Sequence, residues 1–196
     1  MGYTHYWYRE KTIDPETYSK IVGDFQKLLP LFKTLDIKLA GGMGDGEPEI
    51  TDETIWFNGK TSCGHTRANF GIAWPSDEPT KFGVAPDGKE AVDGGWFAGV
   101  KLNQRACDGD CSHETFGFKR EMGLRDWDKP DENGRYFAFC KTAFKPYDLA
   151  VNTCLIIIKH YLGDRIEVSS DGRMKDWQDA MGICENAFGY GKDFTV

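Results

Sequence analysis

Residues Leu149 to Leu162 are apolar nearly all the way round a helix. A segment of this kind has no face to offer to water, so the rest of the chain must be laid around it. Its length favours a helix over a buried strand. Pro146-Tyr147-Asp148 supplies a start, with proline at the first helical position and an acid in the first turn, and Gly163 supplies a stop.

Two amphipathic helices accompany it. Asp14-Pro15-Glu16 opens the first, in which Tyr18, Ile21, Val22, Phe25, Leu28, Leu29 and Phe32 recur at helical spacing, and Pro30 is expected to kink or end it. Trp177, Ala180, Met181, Cys184, Ala187 and Phe188 form the other. Strands are expected at Tyr3–Tyr8, at Ile37–Ala40, at Thr54–Phe57 with an Asn58-Gly59 hairpin turn, at Thr115–Lys119 and around Ile166–Val168. In a further strand, Tyr136–Thr142, Phe137, Phe139 and Lys141 take one face and Ala138, Cys140 and Thr142 the other. The tract from Lys60 to Asp110, rich in glycine and proline, reads as short strands and long loops. Strands cluster in the middle and helices lie towards both ends. The expectation is an α+β fold: a mainly antiparallel sheet with about three helices packed on one face, in a single domain over 1–196.

Charge and composition narrow the function. The chain carries a formal charge of −7 with a pI near 5.1, which argues against general nucleic-acid binding. With 40% hydrophobic and 14% aromatic residues among 196, it can bury a core without staples. No run approaches the ~20 apolar residues that span a bilayer, and the start lacks the pattern of a signal peptide. A cytoplasmic location follows as the expectation, with the six cysteines as reduced thiols or metal ligands.

Five soft metal ligands lie in the middle of the chain: Cys63, His65, Cys107, Cys111 and His113. Zinc takes four such donors, and a loop-rich tract is where a structural ion serves as a staple. The spacing is not the usual Cys-x-x-Cys, and free cysteines with polar loop histidines explain the same residues. Gly59-Lys60-Thr61 copies the end of a Walker A motif, but Thr54 stands where its first glycine belongs. Asp45, Glu47 and Glu49 make the glycine loop 41–46 a poor phosphate cradle. Cys140 next to Lys141 is a nucleophile candidate, with core packing as the plainer reading.

The favoured site lies where the Tyr136–Thr142 strand meets the central helix. Free N–H groups of a helix start attract anions. Lys141 and Lys145 add charge, and Thr142 and Tyr147 add donors, while Asp148 competes for the same helix end. From Glu114 to Lys145 seven basic residues face six acidic ones, in a chain that elsewhere carries 17 against 25. A phosphorylated small molecule or nucleotide would be held by Lys141, Thr142 and Lys145 and stacked on Tyr147, with Tyr3 or Trp7 as further aromatic partners.

The opening Met1-Gly2-Tyr3-Thr4-His5-Tyr6-Trp7 and the segments Phe139-Cys140-Lys141-Thr142 and Lys145-Pro146-Tyr147-Asp148 resemble a family of small uncharacterised phage and bacterial proteins. The resemblance extends through Lys159-His160 and Val168-Ser169-Ser170-Asp171-Gly172 and covers the two ends better than the middle. It implies phage association, hence a host cytoplasm, and no activity. The expected function is a binding protein that captures a phosphorylated ligand, such as a nucleotide signal of host defence. One alternative is a metal-assisted hydrolase of a nucleotide or phosphoester using His113, Glu114 and Asp171. Another is a structural or interaction protein. Oligomeric state, homo-oligomers included, stays open.

Overall fold

The computed structural model describes residues 3–65, 96–97, 100–103, 105, 107 and 109–196. Its α+β order is β1 (Thr4–Arg9), α1 (Pro15–Thr34), β2 (Leu39–Ala40), β3 (Glu49–Ile50), β4 (Thr54–Gly59), β5 (Trp96–Phe97), β6 (Val100–Lys101), β7 (Phe116–Lys119), β8 (Tyr136–Lys141), α2 (Asp148–Leu162), β9 (Ile166–Ser170) and α3 (Gln178–Phe188). Among the described residues every strand pairing is antiparallel. β1 is central in one sheet, between β8 and β9, with Thr4 opposite Lys141 and His5 opposite Ser170. β4 is central in a second sheet, flanked by β2 and β3 and by β7, with Phe57 opposite Phe116.

The apolar helix is buried as its composition requires: α2 packs against α1, α3 and β9, and nearly every side chain from Asp148 to Ile158 is covered. The two sheets and α1 meet in one aromatic stack. Trp7 lies 5.5 Å from Phe116, Phe116 5.1 Å from Phe57, and Phe57 5.4 Å from Phe25. β8 alternates as expected, with Phe137 and Phe139 exposed and Cys140 buried. Among the described residues no helix is long and apolar enough to cross a membrane.

Three local expectations are corrected. Pro30 does not end α1, which continues to Thr34, where the Thr34 hydroxyl donates to the Pro30 carbonyl. Asn58-Gly59 is not a hairpin turn but the end of β4. The Asn58 amide donates to the carbonyls of Gly42 and His113, and its oxygen accepts from the Gly59 and His113 N–H groups. Asn58 is therefore a bracket between loops, and Gly59 is required by a close approach, since a Cβ there would lie 1.9 Å from the Cys111 carbonyl oxygen. The central helix begins at Asp148 and not at Pro146, with Tyr147 as its cap. The expected short strands of the 60–110 tract lie largely outside the described residues, apart from β5 and β6.

Candidate metal centre

Two short segments approach each other beside β4. Cys63 and His65 follow the strand, separated by Gly64 at φ +81°; Cys107 and Cys111 flank a turn whose Gly109 has φ +93°. Backbone bonds join the segments: the Cys63 N–H donates to the Gly109 carbonyl at 3.1 Å, and the Cys111 N–H to the Lys60 carbonyl at 3.0 Å. Left-handed glycines make both reversals possible without strain. Four side chains converge as a result. Cys63 Sγ lies 3.4 Å from Cys107 Sγ, Cys107 Sγ 3.3 Å from Cys111 Sγ, and His65 Nδ1 3.1 Å from Cys111 Sγ. All four donor atoms fall within 4.8 Å of one another, and each residue is buried.

The sulfurs are free thiols, far beyond the ~2.05 Å of a disulfide. A tetrahedral ion with bonds of about 2.3 Å to sulfur needs donors roughly 3.8 Å apart, which is the spacing scale of this cluster. Burial pushes the Cys107 and Cys111 thiols above their ordinary value, and their neighbouring cysteines push Cys111 further. A divalent cation reverses that logic, because it binds the thiolate and displaces the proton.

The histidine is oriented from behind. His65 Nε2 lies 3.1 Å from both the backbone carbonyl and a carboxylate oxygen of Asp36. That arrangement puts the proton on Nε2 and leaves the Nδ1 lone pair facing the sulfurs, the carboxylate–histidine geometry common behind zinc. Lys38 completes the support, its ammonium donating to the Cys63 carbonyl at 2.6 Å. His113, the fifth candidate, is not part of this set. It is exposed, and its Nδ1 sits 2.8 Å from the Lys141 carbonyl.

Of the residues expected to hold an anion, Thr142, Tyr147, Asp148 and Trp7 are buried and turned inward. Asp148 is fully buried and accepts from Thr142 Oγ1, from Arg105 Nε at 3.1 Å and from Asn152 at 3.2 Å, and its Oδ1 lies 2.8 Å from His5 Nε2. Arg105 bridges it to Asp179 at 2.6 Å, also at zero exposure. Burial opposes the Asp148 charge, but His5 and Arg105 overcome it and hold the carboxyl below its ordinary range. Thr142 and Asp148 therefore satisfy each other inside the fold. The Tyr147 hydroxyl is likewise turned inward, onto the Glu114 carbonyl at 2.6 Å, and Trp7 belongs to the aromatic stack at 1% exposure. Lys145 donates to the Asp110 carbonyl, next to the metal-site turn. Tyr3 packs edge-on to His5 and Phe144, its hydroxyl buried and without a partner among the described residues. Of the alternative hydrolytic trio, His113 and Glu114 meet Lys141 at the end of β8, Glu114 accepting its N–H, whereas Asp171 accepts from Thr4 and Tyr6 on β1. Sequence reasoning missed Arg105 and His5, and only the position of His5 on the inward side of β1, in step with Trp7, could have flagged either.

No protein-family model, curated protein or solved structure matches the chain. Function therefore rests on the geometry.

The Gly59 contact gives a first prediction. Gly59→Ala drives a methyl group into the Cys111 carbonyl and so into the metal turn. It is expected to lower stability by about 2 kcal/mol and to weaken metal retention, as thermal unfolding and metal analysis of the purified variant would show.

Proposed function

We propose that this chain is a zinc-binding protein whose ion is structural and is held by Cys63, His65, Cys107 and Cys111. The observation that carries the reading is the convergence of four buried soft donors from two segments 42 or more residues apart, with the histidine tautomer set by Asp36. Three thiolates and one imidazole complete a tetrahedron, which leaves no open position for a substrate or a reactive water and so favours a staple over a catalytic centre. Six free, buried thiols fit a reducing compartment such as the cytoplasm. With the metal assigned to architecture, the chain's working surface lies elsewhere.

Metal analysis of protein purified without chelators is expected to give one zinc per chain. Cobalt replacement is expected to give the d–d bands of a tetrahedral site and intense thiolate-to-cobalt absorption, and Cys107→Ser is expected to weaken the latter. Protein that purifies without metal, takes up no cobalt and offers all its thiols to titration after unfolding would overturn the assignment.

A further inference from the structure

β1 alternates inward His5, Trp7 and Arg9 with outward Tyr6 and Tyr8. Arg9 is 1% exposed, yet among the described residues it bonds only backbone carbonyls and no carboxylate. Its Nη1 donates to the Glu10 and Lys11 carbonyls at 3.1 and 3.4 Å, its Nη2 donates to the Lys119 carbonyl, and the guanidinium lies 4.5 Å over the Phe118 ring. The Nε–H has no partner among the described residues. The adjacent carboxylate, Glu10, is bound instead to Arg165 at 3.0 Å. Arg105, the other fully buried arginine among the described residues, has two carboxylates in contact. A buried cation with no carboxylate in contact among the described residues is an expensive arrangement that carbonyls, a ring and the more distant Glu10 charge only partly offset. Burial accordingly draws the Arg9 guanidinium down from its ordinary value to about 10.

Arg9 also forms part of the wall of a cavity of about 130 Å³, together with Trp7, Trp56, Gly117, Lys119 and Met122. Among the described residues no acidic side chain lines it. The Lys119 ammonium lies 5.7 Å over the Trp56 ring, so a second cation stands at the same wall. Gly117 keeps the indole close, since a Cβ there would meet the Trp56 ring at 2.6 Å.

We propose that this cavity binds a small oxyanion, the carboxylate or phosphate end of a ligand, between Arg9 and Lys119, with Trp56 as the platform for the ligand's flat part. The contacting anion that Arg9 lacks among the described residues is then supplied by the ligand. A neighbouring cleft of about 390 Å³, which shares Trp56 and Lys119 with the cavity, is also lined by Glu49, Glu53 and Glu121. Those carboxylates repel a second anionic group, so the site selects a ligand with one charged end and a neutral or cationic body, and it disfavours polyanions such as triphosphates. This site is independent of the metal.

The test is calorimetric titration of the zinc-loaded full chain with inorganic phosphate and, separately, with sodium acetate, using sodium chloride as the ionic-strength control. Saturable one-to-one binding of either anion is expected, and which of the two binds more tightly identifies the ligand's charged end as phosphate or carboxylate. Lys119→Gln, an exposed change that leaves the core intact, should weaken that binding about fivefold. Arg9→Gln should abolish it where the variant folds. Absence of saturable binding by both anions overturns the proposal, as does unchanged affinity in Lys119→Gln. A loss of binding in Lys141→Gln or Lys145→Gln alone would place the anion at the start of α2 and equally overturn it.

Discussion

Cys111→Ser is expected to lower the thermal midpoint by about 10 °C and to make the protein indifferent to chelators. The serine hydroxyl is a poor zinc ligand, so one of four bonds is lost from a closed site. An ion bound some thousandfold more tightly than its free concentration contributes about 4 kcal/mol to the folded state, and a domain of this size shifts by roughly 2–4 °C per kcal/mol. The same shift should follow when a strong chelator is added to the unaltered protein. The comparison isolates the ion from the side chain, because the chelator should leave the Cys111→Ser variant where it is. A chelator that moves neither protein would show that the cluster holds thiols and nothing more.

A comparable loss is expected from Arg105→Met. The arginine lies between two carboxylates, Asp148 and Asp179, at zero exposure on all three side chains. Methionine fills similar volume but leaves both acids without their shared cation, and breaking a buried pair in this way costs about 3–5 kcal/mol. The pairing also sets the pH dependence. In the unaltered protein the Asp148 pKa is depressed by its partners, so its contribution is present above the unfolded value and fades only as the pH falls through the lower folded value. Without Arg105 that pKa rises, and protonation then relieves the variant. The stability gap between the two proteins should therefore narrow between pH 7 and about pH 4, as urea unfolding at both pH values would register. Asp179→Asn in the Arg105→Met background should restore part of the loss, since it removes one of the stranded charges.

Much of the framework was legible because its signals are local. The apolar helix, the alternation of β8 and the proline-led start of α1 each follow from a few consecutive residues. The α+β class followed from their order. The soft donors were recognisable by type, but what selects His65 over His113 is that Asp36 approaches one ring and the Lys141 carbonyl approaches the other, and both contacts are long-range. Asn58-Gly59 misled for the same reason. As a dipeptide it favours a turn, and only the carbonyls of Gly42, Cys111 and His113 closing around it reveal its use. The anion site expected at Thr142 and Asp148 ignored Arg105, which reaches Asp148 from 43 positions away. Arg9 was overlooked although period-two reading sets it on the same face as Trp7, where an unpaired cation on a buried strand face is itself the signal.

The metal cluster has one more effect, on chain topology. An ion bound there would tie position 63 to position 107, 44 residues along, and so close the intervening tract at its base. In the limit of a permanent cross-link, such a closure removes about 4 kcal/mol of chain freedom from the unfolded state, without a disulfide that a reducing compartment would break. A protease cut anywhere inside that tract would leave two fragments still joined through zinc and through the pairing of β4 with β7. The nicked chain would migrate as one particle under native conditions, held also by the pairing of β1 with β8 and β9, and a chelator would lower the temperature at which it comes apart.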